Sequence, residues 1–230
     1  MTVTSLSTAQ SAEQKLAHIQ ELRQRMHRMQ GTSVSQPLPT VPALAELLRL
    51  RTGASYAVDR PVLAMLAMAG PSGAGAWSAV IGMPDFGLEA AAELGVELER
   101  TVLVPEPGEA WLEVTAALAD VLGVIVVRAP QQVTQHQASR LASRLRQHEA
   151  VLISVGDWPR AEARLSIRGS QWTGIGRGHG RLTGHRVRVV AELSTGQVRQ
   201  ADLMLPGDDH QVRVVEQPEQ TPGLYAVRAG

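Results

Sequence analysis

The chain has no cysteine among its 230 residues. That excludes a disulfide framework and thiolate metal ligation, and it fits a reducing compartment. Aromatic residues are scarce, with one Phe, two Tyr and four Trp. This leaves little material for the stacked platform by which single-strand binders hold successive bases. No apolar run is long enough to span a bilayer. The N-terminus MTVTSLSTAQSAEQK lacks the basic start and apolar stretch of a secretory signal. The expected location is therefore the cytoplasm.

Net charge is zero, but the two signs are unevenly spread. Residues 1–120 carry 8 Lys+Arg against 13 Asp+Glu, a net −5, whereas residues 121–230 carry 14 against 9, a net +5. A basic second half can meet an acidic protein surface or nucleic acid, or can simply be a solvated mixed surface. Hydrophobic content of 44% is ordinary for a folded domain, and the length suffices for one sizeable core with appendages.

Residues 1–10 read as a disordered tail. Ser11 and Gln14 form a capping-box pattern, and Ile19, Leu22, Met26 and Met29 follow at 3-4-3 spacing up to Gly31. This predicts a helix over 11–31 with a narrow apolar seam, which suits docking on a partner or a second protomer; packing on its own domain is the other reading. Residues 32–43 are punctuated by proline and read as a linker or edge strand. Pro42 is expected to open a helix that closes near Gly53. A short strand over 54–58 then leads through Asp59, a cap, and Pro61 into the next helix.

From there strands and helices alternate. Strands are expected over 77–81, 101–104, 124–127 and 150–155, and helices over 86–94, 109–121 and 134–147. Such alternation predicts a mainly parallel α/β sheet. After Asp157-Trp158-Pro159 the pattern changes to alternating strands over 164–168, 185–193, 198–205 and 212–215, an antiparallel extension at one sheet edge. Residues 44–216 make up the core, and 217–230 read as a loosely ordered tail.

Val124–Val127 is short, apolar and mostly β-branched, as expected of a strand buried on both faces. In a P-loop ATPase such a strand ends in a carboxylate that orders Mg²⁺. Here it ends in Arg128. Gly70-Pro71-Ser72-Gly73-Ala74-Gly75-Ala76-Trp77 lacks the Lys and hydroxyl of a phosphate loop and precedes a strand, so it reads as a helix-to-strand connection. The run from Gly174 to Arg181 is glycine-rich and basic. It is either a β-loop or a phosphate or acidic-partner contact with Arg177, His179 and Arg181 as donors. The helix over 134–147 carries a basic outer face with Arg140, Arg144 and Arg146. The histidines form no metal-ligand set, and no serine sits in a nucleophile elbow.

The order of segments carries a resemblance. The run from Gly82 to Gly108, with Leu94-Gly95-Val96 and Arg100, is similar to the RecA core. The chain as a whole resembles the actinobacterial ImuA-prime family, through LRQRMHRMQG (22–31), AAAELGVELER (90–100), ASRLASRLRQHEAVLISVG (138–156) and WTGIGRGHGRL (172–182). The resemblance covers residues 12–215. It implies a degenerate RecA-like core with an N-terminal helix. The phosphate loop is replaced by Asp59-Arg60-Pro61, the catalytic Glu by Met83-Pro84, and the Mg²⁺ carboxylate by Arg128. The two DNA-binding loops are expected to be cut to 130–134 and 157–163. The implied protein is no enzyme and has no cofactor. It is an accessory factor of damage-induced translesion synthesis and the SOS response, nucleoid-associated when induced. Its implied partner is the C-terminal region of the ImuB-type pseudo-polymerase, with a DnaE2-type polymerase and RecA as further partners. The alternative is a direct DNA binder using Arg140, Arg144, Arg177 and Arg181, or a RecA-binding regulator.

Overall fold

A computed structural model describes residues 35–173, 184–205 and 212–215. The expected tails, the helix over 11–31 with its seam Ile19, Leu22, Met26 and Met29, and the basic loop with Arg177, His179 and Arg181 lie outside them. The described chain is α/β. Its nine strands are β1 (Ser55–Val58), β2 (Ser78–Ile81), β3 (Thr101–Val104), β4 (Val124–Val127), β5 (Val151–Val155), β6 (Ala163–Thr173), β7 (Gly184–Leu193), β8 (Val198–Leu205) and β9 (Arg213–Val215). They form one sheet in the order β3-β2-β4-β5-β1-β6-β7-β8-β9. The pairs from β3 through β6 are parallel, and those from β6 to β9 antiparallel.

The parallel strands β1, β2, β4 and β5 are buried at every position. Both of their faces must therefore be covered. On one face, Tyr56, Val58, Val80, Val124, Val126, Val151 and Ile153 join a cluster with helices α1 (Pro42–Ala45), α2 (Pro61–Gly73) and α3 (Leu88–Glu93). On the other, Ala57, Ala79, Ile81, Ile125, Val127 and Leu152 pack with α4 (Trp111–Ala119) and α5 (Gln135–Gln147). From Leu63 to Ala69 every residue of α2 is buried. The antiparallel strands send Leu165, Val187, Val189, Ala191, Leu203 and Leu205 into the first cluster. Their opposite face carries exposed Arg188 and Glu192. No described helix is long and apolar enough to cross a membrane.

Four expectations need correction. The helix opened by Pro42 stops after Ala45, because the following backbone is spent on another partner. Leu38 N–H donates to Leu50 O (2.8 Å) and Thr52 N–H to Gln36 O (2.8 Å), so the chain turns and buries Leu47, Leu48 and Leu50. The same bonds tie residues expected as a linker against the core from Ser35 onward. Asp59 does not cap α2. Arg60 stands at that position without a side-chain cap, and Asp59 instead accepts from Ile167 N–H (3.1 and 3.2 Å). The glycine-rich run at 70–77 is helical as far as Gly73, with Pro71 buried in the last turn; only 74–77 connects to β2. Gly70 is required there, since a Cβ would lie 2.5 Å from Pro39 O. Finally, β6 does not stop at Arg168. It continues past a bulge between Ile167 and Gly169 to Thr173, because β7 supplies a partner as far as Gly184.

Tyr56 shows how the core handles a polar atom. It is 1% exposed. Its hydroxyl accepts from Arg51 N–H (3.0 Å) and donates to Arg49 O (3.3 Å). Burial pushes its pKa up to about 12. Tyr56→Phe should lower the unfolding free energy by about 1–3 kcal/mol, because it strands the Arg51 donor. Urea denaturation should show a lower midpoint with an unchanged slope.

Candidate functional surfaces

The first surface is the C-terminal rim of the parallel strands, where open α/β sheets place their ligands. Only Asp59 and Arg60 separate β1 from α2. Asp59 is committed to β6, through its carboxylate and through its own N–H to Leu165 O (3.1 Å). Pro61 occupies the first helical position and removes a donor from the helix N-terminus. At the neighbouring strand ends, Met83 is buried, Pro84 is exposed, and Arg128 pairs with Asp85 at 2.7 Å. Gly82 makes this junction possible. It has φ +72°, and a Cβ there would overlap Arg128 O. Pro84 and Arg128 thus share adjoining strand ends, while Asp59, Arg60 and Pro61 lie beyond the end of β5.

The second surface is the groove between α4 and α5. Thr134 caps α5 through a reciprocal capping box with Gln137, an arrangement visible in the sequence. Ala138, Leu141 and Leu145 then fall on one helical face and are buried. Trp111, Thr115 and Ala119 do the same for α4. Between them a cleft of about 300 Å³ is floored by Leu112, Ala116 and Leu141 and rimmed by Glu113, Gln137, Arg140 and Arg144. Arg144 also reaches Asp120 at 3.3 Å. Arg140 and Arg144 are therefore brought together on one rim, as the sequence suggested.

The third surface was not anticipated. On the outer face of the antiparallel sheet, Arg186 and Arg188 flank Asp202, whose side chain is 3% exposed. Arg186 Nη2 donates to Asp202 Oδ2 at 2.7 Å; Arg188 donates through Nε (2.7 Å) and Nη2 (3.0 Å). The carboxylate raises the Arg188 pKa further above its ordinary value. A buried carboxylate needs such partners. The only sequence signal for the site was Arg-x-Arg at strand spacing, and its acidic partner lies on another strand. On the inner side of the same hairpin, Trp172 stacks on His185 with ring centroids 3.7 Å apart, and His185 Nε2 lies 2.7 Å from Ser170 Oγ.

Partial burial lowers the His185 pKa. Its ring should therefore titrate below about 6.5, read from its ring protons by NMR. Because the folded-state pKa is the lower one, the stabilisation from the neutral ring is full above the unfolded-state value. It is lost as pH falls through the folded one. His185→Gln should remove that part of the acid sensitivity of the urea midpoint.

Comparison with known proteins gives this sequence relatives. The profile of the MT3502 N-terminal domain matches residues 43–160, which run from α1 to the connection before β6. The uncharacterized protein Rv3395c of Mycobacterium tuberculosis (strain ATCC 25618 / H37Rv) is 34% identical over 131 residues, covering 53% of this chain. The chain spans 64% of that relative's length.

Proposed function

The chain belongs to the family of the MT3502 N-terminal domain, and we propose that it works as a non-catalytic scaffold of the ImuA-prime kind. It binds the ImuB-type pseudo-polymerase and thereby supports error-prone synthesis by a DnaE2-type polymerase after DNA damage. The observation that carries this reading is Arg128. At the end of β4, where Mg²⁺ chemistry calls for a carboxylate, stands a guanidinium already paired with Asp85. The direct passage from β1 through Asp59-Arg60 into α2 leaves no glycine loop to cradle phosphates. A frame of this kind without phosphate-binding parts is suited to presenting surfaces.

The α4–α5 groove is the surface best shaped for a protein partner. Its floor is apolar, and the α5 side of its rim carries Arg140 and Arg144 opposite Glu113 of α4, a combination that fits an amphipathic segment with acidic residues along one flank. Reversing the rim with Arg140→Glu and Arg144→Glu should weaken capture of the partner's C-terminal region at least tenfold. Most of that loss should sit in the association rate and in its salt dependence. Co-purification and surface binding with the full chain test this. A truncation lacking residues 1–31 separates the groove from the predicted N-terminal seam. Unchanged binding by the charge-reversed variant would remove the groove from the assignment.

The non-catalytic reading has its own test. Mg²⁺-ATP should leave the melting temperature unchanged, since a ligand that bound the folded state would raise it. A concentration-dependent rise would overturn the reading.

A further inference from the structure

The third surface asks for a ligand that neither the groove nor the strand-end rim explains. We propose that the outer face of the β6–β7–β8 sheet is a nucleic-acid backbone site in which Arg186 and Arg188, held in place by the buried Asp202, each bind a phosphate. This inference stands on the arginine cluster and is independent of the scaffold reading.

The donor inventory points outward. A guanidinium carries five N–H donors. Asp202 receives one bond from Arg186 and two from Arg188. The rest of both forks is unspent on it. The Arg186 and Arg188 side chains remain 32% and 47% exposed. The buried carboxylate fixes their planes, so little side-chain freedom is left to lose on binding. Along β7 the two residues are two apart and share a face. They stand about 6.6 Å from each other along the strand, a step suited to successive phosphates of an extended backbone.

The rest of the cleft, of about 370 Å³, agrees with that ligand. It is lined by Arg168, Gly169, Ser170 and Gln171 beside the two arginines and Asp202. Gly169 contributes no side chain, so a bulky backbone can approach β6 at its bulge. The Gln171 amide and the guanidinium groups are donors of the kind that contact phosphates, whereas the Ser170 hydroxyl is engaged with His185 on the inner side. Among the described residues no large apolar side chain lines the cleft, whereas the buried centre of a protein interface is apolar and poor in charge. Nucleic-acid interfaces are polar and positively charged. The cleft and the α4–α5 groove thus differ in kind. The shared chemistry of the ligand is the phosphodiester backbone, whether of a single strand or of a duplex.

The test is fluorescence anisotropy of the full chain with one labelled DNA, presented as a single strand and as its duplex, across a salt series. The wild type should bind at least one form, and the tighter form identifies the source. Arg186→Gln with Arg188→Gln should lower the slope of log affinity against log salt by roughly 1.4 to 1.8, the loss of two phosphate contacts. Because that pair removes the Arg186 and Arg188 partners of a buried carboxylate, a triple variant adding Asp202→Asn puts a neutral amide in its place. It should melt near the wild type and show the same loss. Failure of the wild type to bind either form would overturn the assignment, as would an unchanged slope in the triple variant. Displacement of the DNA by polyglutamate at equal charge concentration would also overturn it, in favour of an acidic protein surface.

Discussion

From Leu63 to Ala69, no residue of α2 is more than 5% exposed. A helix of that kind needs a wall on each side. The sheet supplies one through β1, β4 and β5, and the segment from Ser35 to Leu50 together with α3 supplies the other. Much of the molecule follows from this. The residues before α1 are tied back by Leu50 and Thr52 so that Leu38 and Val41 can pack against the cluster. Gly70 exists to let the backbone of Pro39 reach the helix. Exposing this helix would cost more than any single surface contact could offset, since large buried side chains each contribute about 2–5 kcal/mol.

The same helix sets the character of the strand-end rim. Because α2 starts directly after Asp59-Arg60, the rim is short and its polar groups turn to one another. Asp59 holds β6, and Asp85 holds Arg128. The polar groups that close this region are modest in number and half-exposed, so their worth lies in geometry more than in stability. The chemistry-bearing surfaces lie elsewhere, on the outer flank of α4 and α5 and on the uncovered side of the antiparallel strands. The family match stops before those strands begin, so the arginine cluster is carried by the part of the chain outside it.

How far the sequence revealed this depends on whether the deciding contact is local. The strands over 101–104, 124–127 and 198–205 were legible to the residue, because short apolar or alternating runs bounded by turn residues need little else. The helix that follows Thr134 was also read, although its capping box with Gln137, complete within four residues, was not singled out. The helix at Pro42 was overestimated because its end is decided by bonds to residues 36–38. Asp59 looked like a cap because the cap position is local, whereas its true partner, Ile167, is 108 residues away. Arg140 and Arg144 were found from helical periodicity alone. The Arg186–Arg188–Asp202 cluster was not, since the carboxylate arrives from a neighbouring strand whose register the sequence does not state.

Among the described residues, the strand at each rim of the nine-stranded sheet is short. Of those residues, β3 has four and pairs with β2 alone, whereas β9 has three and covers Asp202–Met204 of the longer β8. A passing extended chain would find about two outward-facing residues of backbone on which to build at the β3 rim. That is too little to template further strands, even though Leu103 stands exposed on β3. The β3 rim therefore resists growing edge to edge at high concentration, and association there has to pass through side chains, which can discriminate among partners in a way that open backbone cannot.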